Sequence, residues 1–193
     1  MIDYIKGDIT QITPTFLTME TVGIGYLINI SLTTFSKLEG QKEFKILIHE
    51  VIREDSHQLF GFADNVERDI FRLLISVTGV GANTARMMLS SLNPDEIEKA
   101  ILGSDANLLK SVKGIGLKTA QRIIIDLKDK LGKHGGSGEI FAFADNTKRE
   151  EALSALVMLG FAKNAVSKIL DKIVREEKNL TVEDIIKRAL KNL

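Results

Sequence analysis

One ten-residue pattern occurs twice in this chain, 35 positions apart, and it constrains the fold more than any other feature. Ser76-Val77-Thr78-Gly79-Val80-Gly81-Ala82-Asn83-Thr84-Ala85 is matched by Ser111-Val112-Lys113-Gly114-Ile115-Gly116-Leu117-Lys118-Thr119-Ala120. Ser, Val, both Gly, Thr and Ala are identical, and Ile115 stands in for Val80. Apolar residues at helical spacing flank each copy. A lone Gly-x-Gly is usually only a turn. Two matched copies, each feeding a helix, describe a tandem helix-hairpin-helix, with a purely structural helical repeat as the alternative.

The chemistry of such a unit follows from its parts. Two glycines allow a tight turn with positive φ and let a ligand approach the backbone. The apolar residue between them anchors the turn in the core. The helix that follows opens with unpaired N–H groups and the positive end of its dipole, which suit a phosphate. Lys118 adds a cation in the second copy, and Arg122, one turn later, extends it. Asn83 occupies the place of Lys118 in the first copy, so attraction there is weaker. Contacts of this kind hold a nucleic-acid backbone without reading bases. The candidate DNA-binding residues are therefore Gly79, Val80, Gly81, Asn83 and Thr84 in one hairpin, and Gly114, Ile115, Gly116, Lys118, Thr119 and Arg122 in the other.

The rest of the chain divides by periodicity. Residues 1–63 are rich in Thr, Ile, Val, Phe and Tyr, and Met1–Ile12, Thr15–Val22, Ile24–Ser31, Glu43–Val51 and Gln58–Phe62 read as strands. Gly7 suggests a bend or bulge in the first. Thr33–Leu38 reads as a short helix after the third strand, the element order of an OB-type barrel, with other small β-barrels or sandwiches as alternatives. From Asp64 the spacing is helical. Asp64 with Glu67 resembles a capping box, and further helices are expected at 82–91, 95–102, 105–111 and 117–131, with Asn93-Pro94 and Ser104 as start signals. Residues 133–147 read as a flexible linker, Gly/Ser-rich at its start. Residues 148–193 give three short helical patterns, the last capped by Thr181 with Asp184. The expected organisation is an α+β multidomain chain: 1–63, 64–132, linker 133–147, and 148–193.

Charge supports this division. Lys plus Arg and Asp plus Glu both number 26. Residues 1–64 nevertheless hold 5 basic against 9 acidic side chains, while 65–132 hold 10 against 8. A balanced total thus leaves room for a local phosphate-binding face. The most distinctive acidic feature is Arg53-Glu54-Asp55, between the last two strands. In isolation it is an exposed turn. On a nucleic-acid binder, an acidic tip repels phosphates and excludes a duplex from one place.

Several chemistries are excluded. With no Cys the chain has no disulfide, thiolate metal site or Cys nucleophile. His49, His57 and His134 are scattered and share no metal-ligand spacing with a carboxylate. No metal and no cofactor is expected. No apolar run approaches the roughly 18 residues that span a bilayer, and no signal segment begins the chain, which points to the cytoplasm and away from a membrane.

Together, Arg53-Glu54-Asp55 through Leu59-Phe60-Gly61-Phe62, Gly79-Val80-Gly81, and Gly114-Ile115-Gly116-Leu117-Lys118-Thr119-Ala120 resemble the RuvA family over the whole length. The resemblance implies an OB-fold domain, a tandem helix-hairpin-helix domain and a small three-helix (UBA-like) C-terminal domain. It implies a homotetramer, one or two to a junction, that holds a four-way Holliday junction open and roughly planar. Arg53, Glu54 and Asp55 map onto the acidic pin at the junction centre. The C-terminal domain is expected to contact the hexameric ATPase RuvB, with Leu159, Gly160 and Phe161 as contact candidates, and the RuvC resolvase is an expected partner in a larger complex. The chain itself is expected to be non-catalytic. Two residues depart from the family's pattern: Leu117 and Asn83 stand where lysines are common, so phosphate affinity is lower or shared with Lys113, Arg86 and Arg122. The second hairpin also resembles that of bifunctional DNA glycosylases, with Lys118 in the nucleophile's place. Those enzymes need a downstream Asp, and none lies between Lys130 and Asp145. A helix-hairpin-helix adaptor without junction preference is the other alternative.

Overall fold

The computed structural model describes residues 1–132, 144–176 and 180–192. The chain divides into two compact units, Met1–Ser137 and Gly138–Leu193.

The first unit opens with five strands: β1 (Tyr4–Ile12), β2 (Phe16–Thr21), β3 (Ile24–Ile30), β4 (Glu43–Ile52) and β5 (His57–Phe62), with helix α1 (Leu32–Leu38) between β3 and β4. They close into a barrel in the order β1-β2-β3-β5-β4. Only β3 and β5 pair in parallel. This is the OB fold. Its core is aliphatic: Ile5, Leu17, Met19, Ile28, Ile30, Ile46, Ile48 and Leu59, closed by Leu38 of α1.

Two local expectations are corrected. The register irregularity in β1 falls between Ile9 and Gln11, not at Gly7. Gly7 serves a close approach instead: a Cβ there runs into the Glu20 carbonyl oxygen. Ser104 does not start a helix. It sits in left-handed backbone at φ +59°, and Asp105 caps the helix that follows by accepting from the Leu108 N–H at 3.0 Å. A carboxylate at that position also complements the helix dipole, which a hydroxyl does not.

The sequence Leu59-Phe60-Gly61-Phe62 explains how the barrel joins the helices. Alternate residues of a strand face opposite sides. Leu59 belongs to the barrel core, and Gly61 must be small, because a Cβ there meets Ile28 and Ile46 at 2.5 Å. Phe60 and Phe62 point the other way, into the helical core. They receive Phe71 at ring-centroid distances of 5.3 and 4.9 Å, with His49 edge-on to the same ring at 5.4 Å. Phe71 is fully buried, and truncating such a ring costs about 3–5 kcal/mol. Barrel and helices therefore share a core across residue 63.

Five helices complete this unit: α2 (Asn65–Ile75), α3 (Ala82–Ser91), α4 (Pro94–Leu102), α5 (Ala106–Lys110) and α6 (Leu117–Gly132). Asp64 caps α2 through the Glu67 N–H at 2.9 Å, but the expected capping box is not completed. The Glu67 carboxylate turns away to accept from the Ser31 and Thr34 hydroxyls, the latter at 2.7 Å. Both hydroxyls are buried, one on the N-cap of α1 and one within it, and have better use for it than the helix end has. Asn93 and Glu96 do form a full capping box on α4.

The second unit contains α7 (Ala144–Met158), α8 (Lys163–Glu176) and α9 (Val182–Leu190) around Ala152, Leu156, Val166, Leu170, Ile173, Ile185 and Ala189. Thr181 caps α9 and exchanges hydrogen bonds with Asp184, as expected. Helix α7 starts at Ala144, inside the expected linker; the run from there has no Gly or Pro to prevent it. The linker's residues 133–143, His134 among them, lie outside the described residues. No described helix is long and apolar enough to cross a membrane.

Candidate nucleic-acid interface

The two hairpins are built alike. In the first, the Val77 N–H donates to the Leu74 carbonyl, Val80 to Val77, and Ala85 to Gly81, at 3.1, 3.0 and 2.9 Å. In the second, Val112 donates to Leu109, Ile115 to Val112, and Ala120 to Gly116, at 3.3, 3.1 and 2.9 Å. Val80 and Ile115 are each 5% exposed and anchor their turns.

The glycines in each hairpin do different jobs. Gly79 and Gly114 adopt left-handed backbone, at φ +94° and +92°. Gly81 and Gly116 do not; Gly81 is extended at φ −86° and ψ 167°. Nothing lies within 4 Å of a Cβ built on any of the four. The first glycine makes the turn, and the second leaves open space over the backbone.

Electrostatics favour an anion at these ends. No side chain caps α3, and neither α3 nor α6 has an acidic residue in its first turn. By contrast α2, α4 and α9 carry Asp or Glu there. The first-turn N–H groups of α3 thus face solvent-exposed Gly81 and Asn83 with no competing carboxylate. Lys113 and Lys118 are exposed and make no ion pair or hydrogen bond with described residues. Arg122 lies 3.9 Å from Asp126, one turn on, a weak exposed pair that leaves it available. Leu117 is 47% exposed where its counterpart Ala82 is buried. Thr84 and Thr119 are half-buried at the base of each helix.

Arg86 is not a free cation. Its Nη1 donates to the Thr15 carbonyl at 2.9 Å and to Asn29 Oδ1 at 3.2 Å, and burial draws its pKa down. Both bonds come from the one nitrogen Nη1, which holds the guanidinium against the barrel. Arg86, expected to share in phosphate binding, is thus drawn in part toward the barrel. The same helix is tied to α1, where Thr33 donates to the Leu89 carbonyl at 2.7 Å and the Leu32 N–H to Ser90 Oγ at 3.1 Å.

Arg53, Glu54 and Asp55 form the exposed tip of the β4–β5 hairpin, closed by the Arg53 N–H donating to the Ser56 carbonyl at 2.8 Å. At its base Glu50 accepts from the Ile2 N–H at 2.7 Å and pairs with His57 at 3.1 Å. Those contacts hold the Glu50 carboxyl below its usual range, the backbone donor first. In the second unit, Gly160 makes the α7–α8 turn at φ +98°. Leu159 is 62% exposed, while Phe161 packs against the core. Met158, which the sequence did not single out, is 86% exposed. Among the described residues no group of three His, Cys, Asp or Glu side chains could hold a metal.

A closed OB barrel that shares a core with paired helix-hairpin-helix units, followed by a separate three-helix unit, defines a class: modular proteins of the OB and helix-hairpin-helix type. Family models match in the same order: "RuvA N terminal domain" over residues 1–61, "SAM-like Helix-hairpin-helix tandem" over 71–129, and "RuvA, C-terminal domain" over 147–193. Curated relatives match from end to end. The "Holliday junction branch migration complex subunit RuvA" of Christiangramia forsetii is 52% identical over 193 residues, covering all of both chains. Proteins of the same name from Porphyromonas gingivalis and Bacteroides thetaiotaomicron are 50% and 48% identical over 202 and 201 residues, again covering all of both chains. The chain belongs to the RuvA family.

Proposed function

We propose that four copies of this chain bind a four-way Holliday junction, hold it open and roughly planar, and recruit the hexameric ATPase RuvB for branch migration in recombination and repair. The chain carries no catalytic role; the motor supplies ATP hydrolysis. Residues 1–63 present the acidic tip, 64–132 grip the duplex arms, 133–143 connect, and 144–193 contact the motor. RuvC joins in a larger complex. The protein works in the cytoplasm.

The observation that carries this reading is the duplicated hairpin, each with an open second glycine and a helix start clear of carboxylates. Gly79, Val80, Gly81, Asn83 and Thr84, with Gly114, Ile115, Gly116, Lys118, Thr119 and Arg122, meet phosphates rather than bases. A junction that moves through sequence needs such contacts, because a base-specific grip stalls it. Glu54 and Asp55 repel strands at the crossover and keep the arms apart. The test is competition between a four-way junction and linear duplex of the same arm sequence. The junction is expected to win by a wide margin at moderate salt. Equal affinity overturns the reading in favour of a general duplex-binding adaptor.

A further inference from the structure

Arg86 and Lys118 belong to opposite kinds of contact, although both lie in the helices that follow the two hairpin turns. At the 35-residue offset Arg86 corresponds to the exposed Gln121, and Asn83 corresponds to Lys118. The first hairpin thus lacks the outward cation and has an inward one. The inward cation begins a relay. Arg86 Nη1 donates to Asn29 Oδ1 on β3, and Asn29 Nδ2 donates to the Leu59 carbonyl on β5 at 3.2 Å. The chemistry fixes the direction: a guanidinium only donates and a carbonyl only accepts, so the one amide between them must present its oxygen to Arg86 and its nitrogen to Leu59. A second bond from Arg86 to the Thr15 carbonyl pins α3 to the β1–β2 turn. Leu59 lies two residues into β5, the strand that leaves the Arg53–Asp55 tip.

From this the geometry points to Arg86 and Asn29 as positioning residues for junction recognition: they fix the start of α3 relative to the strand that carries the acidic tip, and so set selectivity for a branched over a linear ligand. The inference rests on the junction-binding reading above. A linear duplex can satisfy one hairpin without regard to the tip. A junction must meet the hairpins and the tip at once, so only the junction senses their spacing. Neither side chain is an attractor of phosphate. Arg86 directs Nη1 to two barrel acceptors, and Asn29 is a half-buried barrel residue.

The experiment measures the full-length protein and its Arg86→Met, Arg86→Lys and Asn29→Ala variants on a four-way junction and on linear duplex across a range of salt. Thermal melting confirms that each variant is folded. Arg86→Met and Asn29→Ala are expected to lose junction affinity by about tenfold, the equivalent of one charge-assisted hydrogen bond, with duplex affinity and salt slope unchanged. The double variant is expected to lose no more than either single one, because both break the same relay. Arg86→Lys, which keeps one donor, recovers part of the loss. If Arg86→Met does not fold, Asn29→Ala and Arg86→Lys carry the comparison. Parallel loss on junction and duplex, with a slope reduced by about 0.9 per contact, makes Arg86 a phosphate ligand and overturns the inference. Unchanged junction preference in folded variants overturns it too. A wild-type protein without junction preference overturns the functional reading itself, and the inference with it.

Discussion

Gly79 and Gly114 stand 35 residues apart in sequence and hold nearly the same left-handed backbone, φ +94° and +92°. Two residues further on, Gly81 and Gly116 lie outside that region, with empty space where a side chain would stand. The pairs therefore separate stability from binding. Gly114→Ala forces an L-residue into left-handed backbone and is expected to cost about 1–2 kcal/mol of stability. Gly116→Ala meets no clash and no strain, so stability stays within about 0.5 kcal/mol, while DNA affinity falls because the methyl stands where the phosphate must come. Gly116→Val deepens the affinity loss by bulk alone. Urea denaturation and gel-shift on the same preparations check both arms. Weakened folding by Gly116→Ala at full DNA affinity contradicts the assignment.

Lys118 is exposed and makes no ion pair with described residues, and the second hairpin offers it to solvent. Lys118→Ala is expected to weaken binding equally for junctions of any sequence. Each phosphate contact on duplex DNA contributes about 0.9 to the salt slope, so a tetramer losing four lysines loses up to about 3.6. Asn83→Lys adds a cation at an exposed, carboxylate-free helix start and is expected to tighten binding and steepen the slope. Junction titrations from low to moderate salt decide. An unchanged slope for Lys118→Ala leaves the second hairpin to its backbone N–H groups, Lys113 and Arg122.

What the sequence disclosed and what it hid follow from range. The hairpins were legible because turn, anchor and helix start lie within ten residues and occur twice. The barrel was legible from short apolar strands with a helix after the third. Some misreadings are local, such as Ser104 taken for the cap that its neighbour Asp105 supplies; others concern side chains whose partners are distant. Glu67, three residues after Asp64, reads as the second half of a capping box, yet its partners Ser31 and Thr34 lie 36 and 33 positions away. Arg86 reads as a surface cation near a phosphate site, yet its acceptor Thr15 is 71 positions away. Local spacing carries no information about either.

The acidic tip is exposed, and among the described residues its hydrogen bonding is that of its own turn. Replacing Glu54 and Asp55 by Gln and Asn is therefore expected to leave folding intact. Junction binding stays equal or tightens, because repulsion at the crossover falls by two charges per subunit. The rate of motor-driven branch migration changes, since strand separation loses its electrostatic wedge. Clear loss of junction affinity in a gel-shift, with an unaltered melting curve, contradicts a repulsive role.

The three-helix unit has a core of its own, and Met158 and Leu159 lie on its surface. Removing residues 144–193 is expected to leave junction binding intact and abolish stimulation of the motor. Met158→Asp with Leu159→Asp should do the same within the full chain, without lowering its melting temperature, because neither side chain is part of the core. Phe161→Asp is expected to unfold the unit instead. Normal motor stimulation by the truncated protein overturns the division of labour.

Asp64 and Glu67 lie three residues apart and respond to pH in opposite senses. Burial works to raise Asp64, but the Lys37 ammonium at 2.5 Å and the Glu67 N–H outweigh it and hold the carboxyl below its ordinary 3.8. Its contribution is present above that value and is lost as pH falls through the depressed pKa. Burial raises Glu67 above its ordinary 4.5, against the opposing donation of Ser31 and Thr34. Its contribution is full below 4.5 and is lost as pH rises through the raised pKa. The melting advantage of wild type over Asp64→Asn should therefore shrink as pH falls below about 4. The difference between Glu67→Gln and wild type should move in favour of the variant as pH rises above about 4.5. Glu67→Ala also leaves the buried Ser31 and Thr34 hydroxyls without their acceptor, which should cost about 1–3 kcal/mol on top of the same pH dependence. Melting curves from pH 3 to 8 for the three variants test the assignment, and a Glu67→Gln difference that is flat in pH removes Glu67 as a buried titrating group.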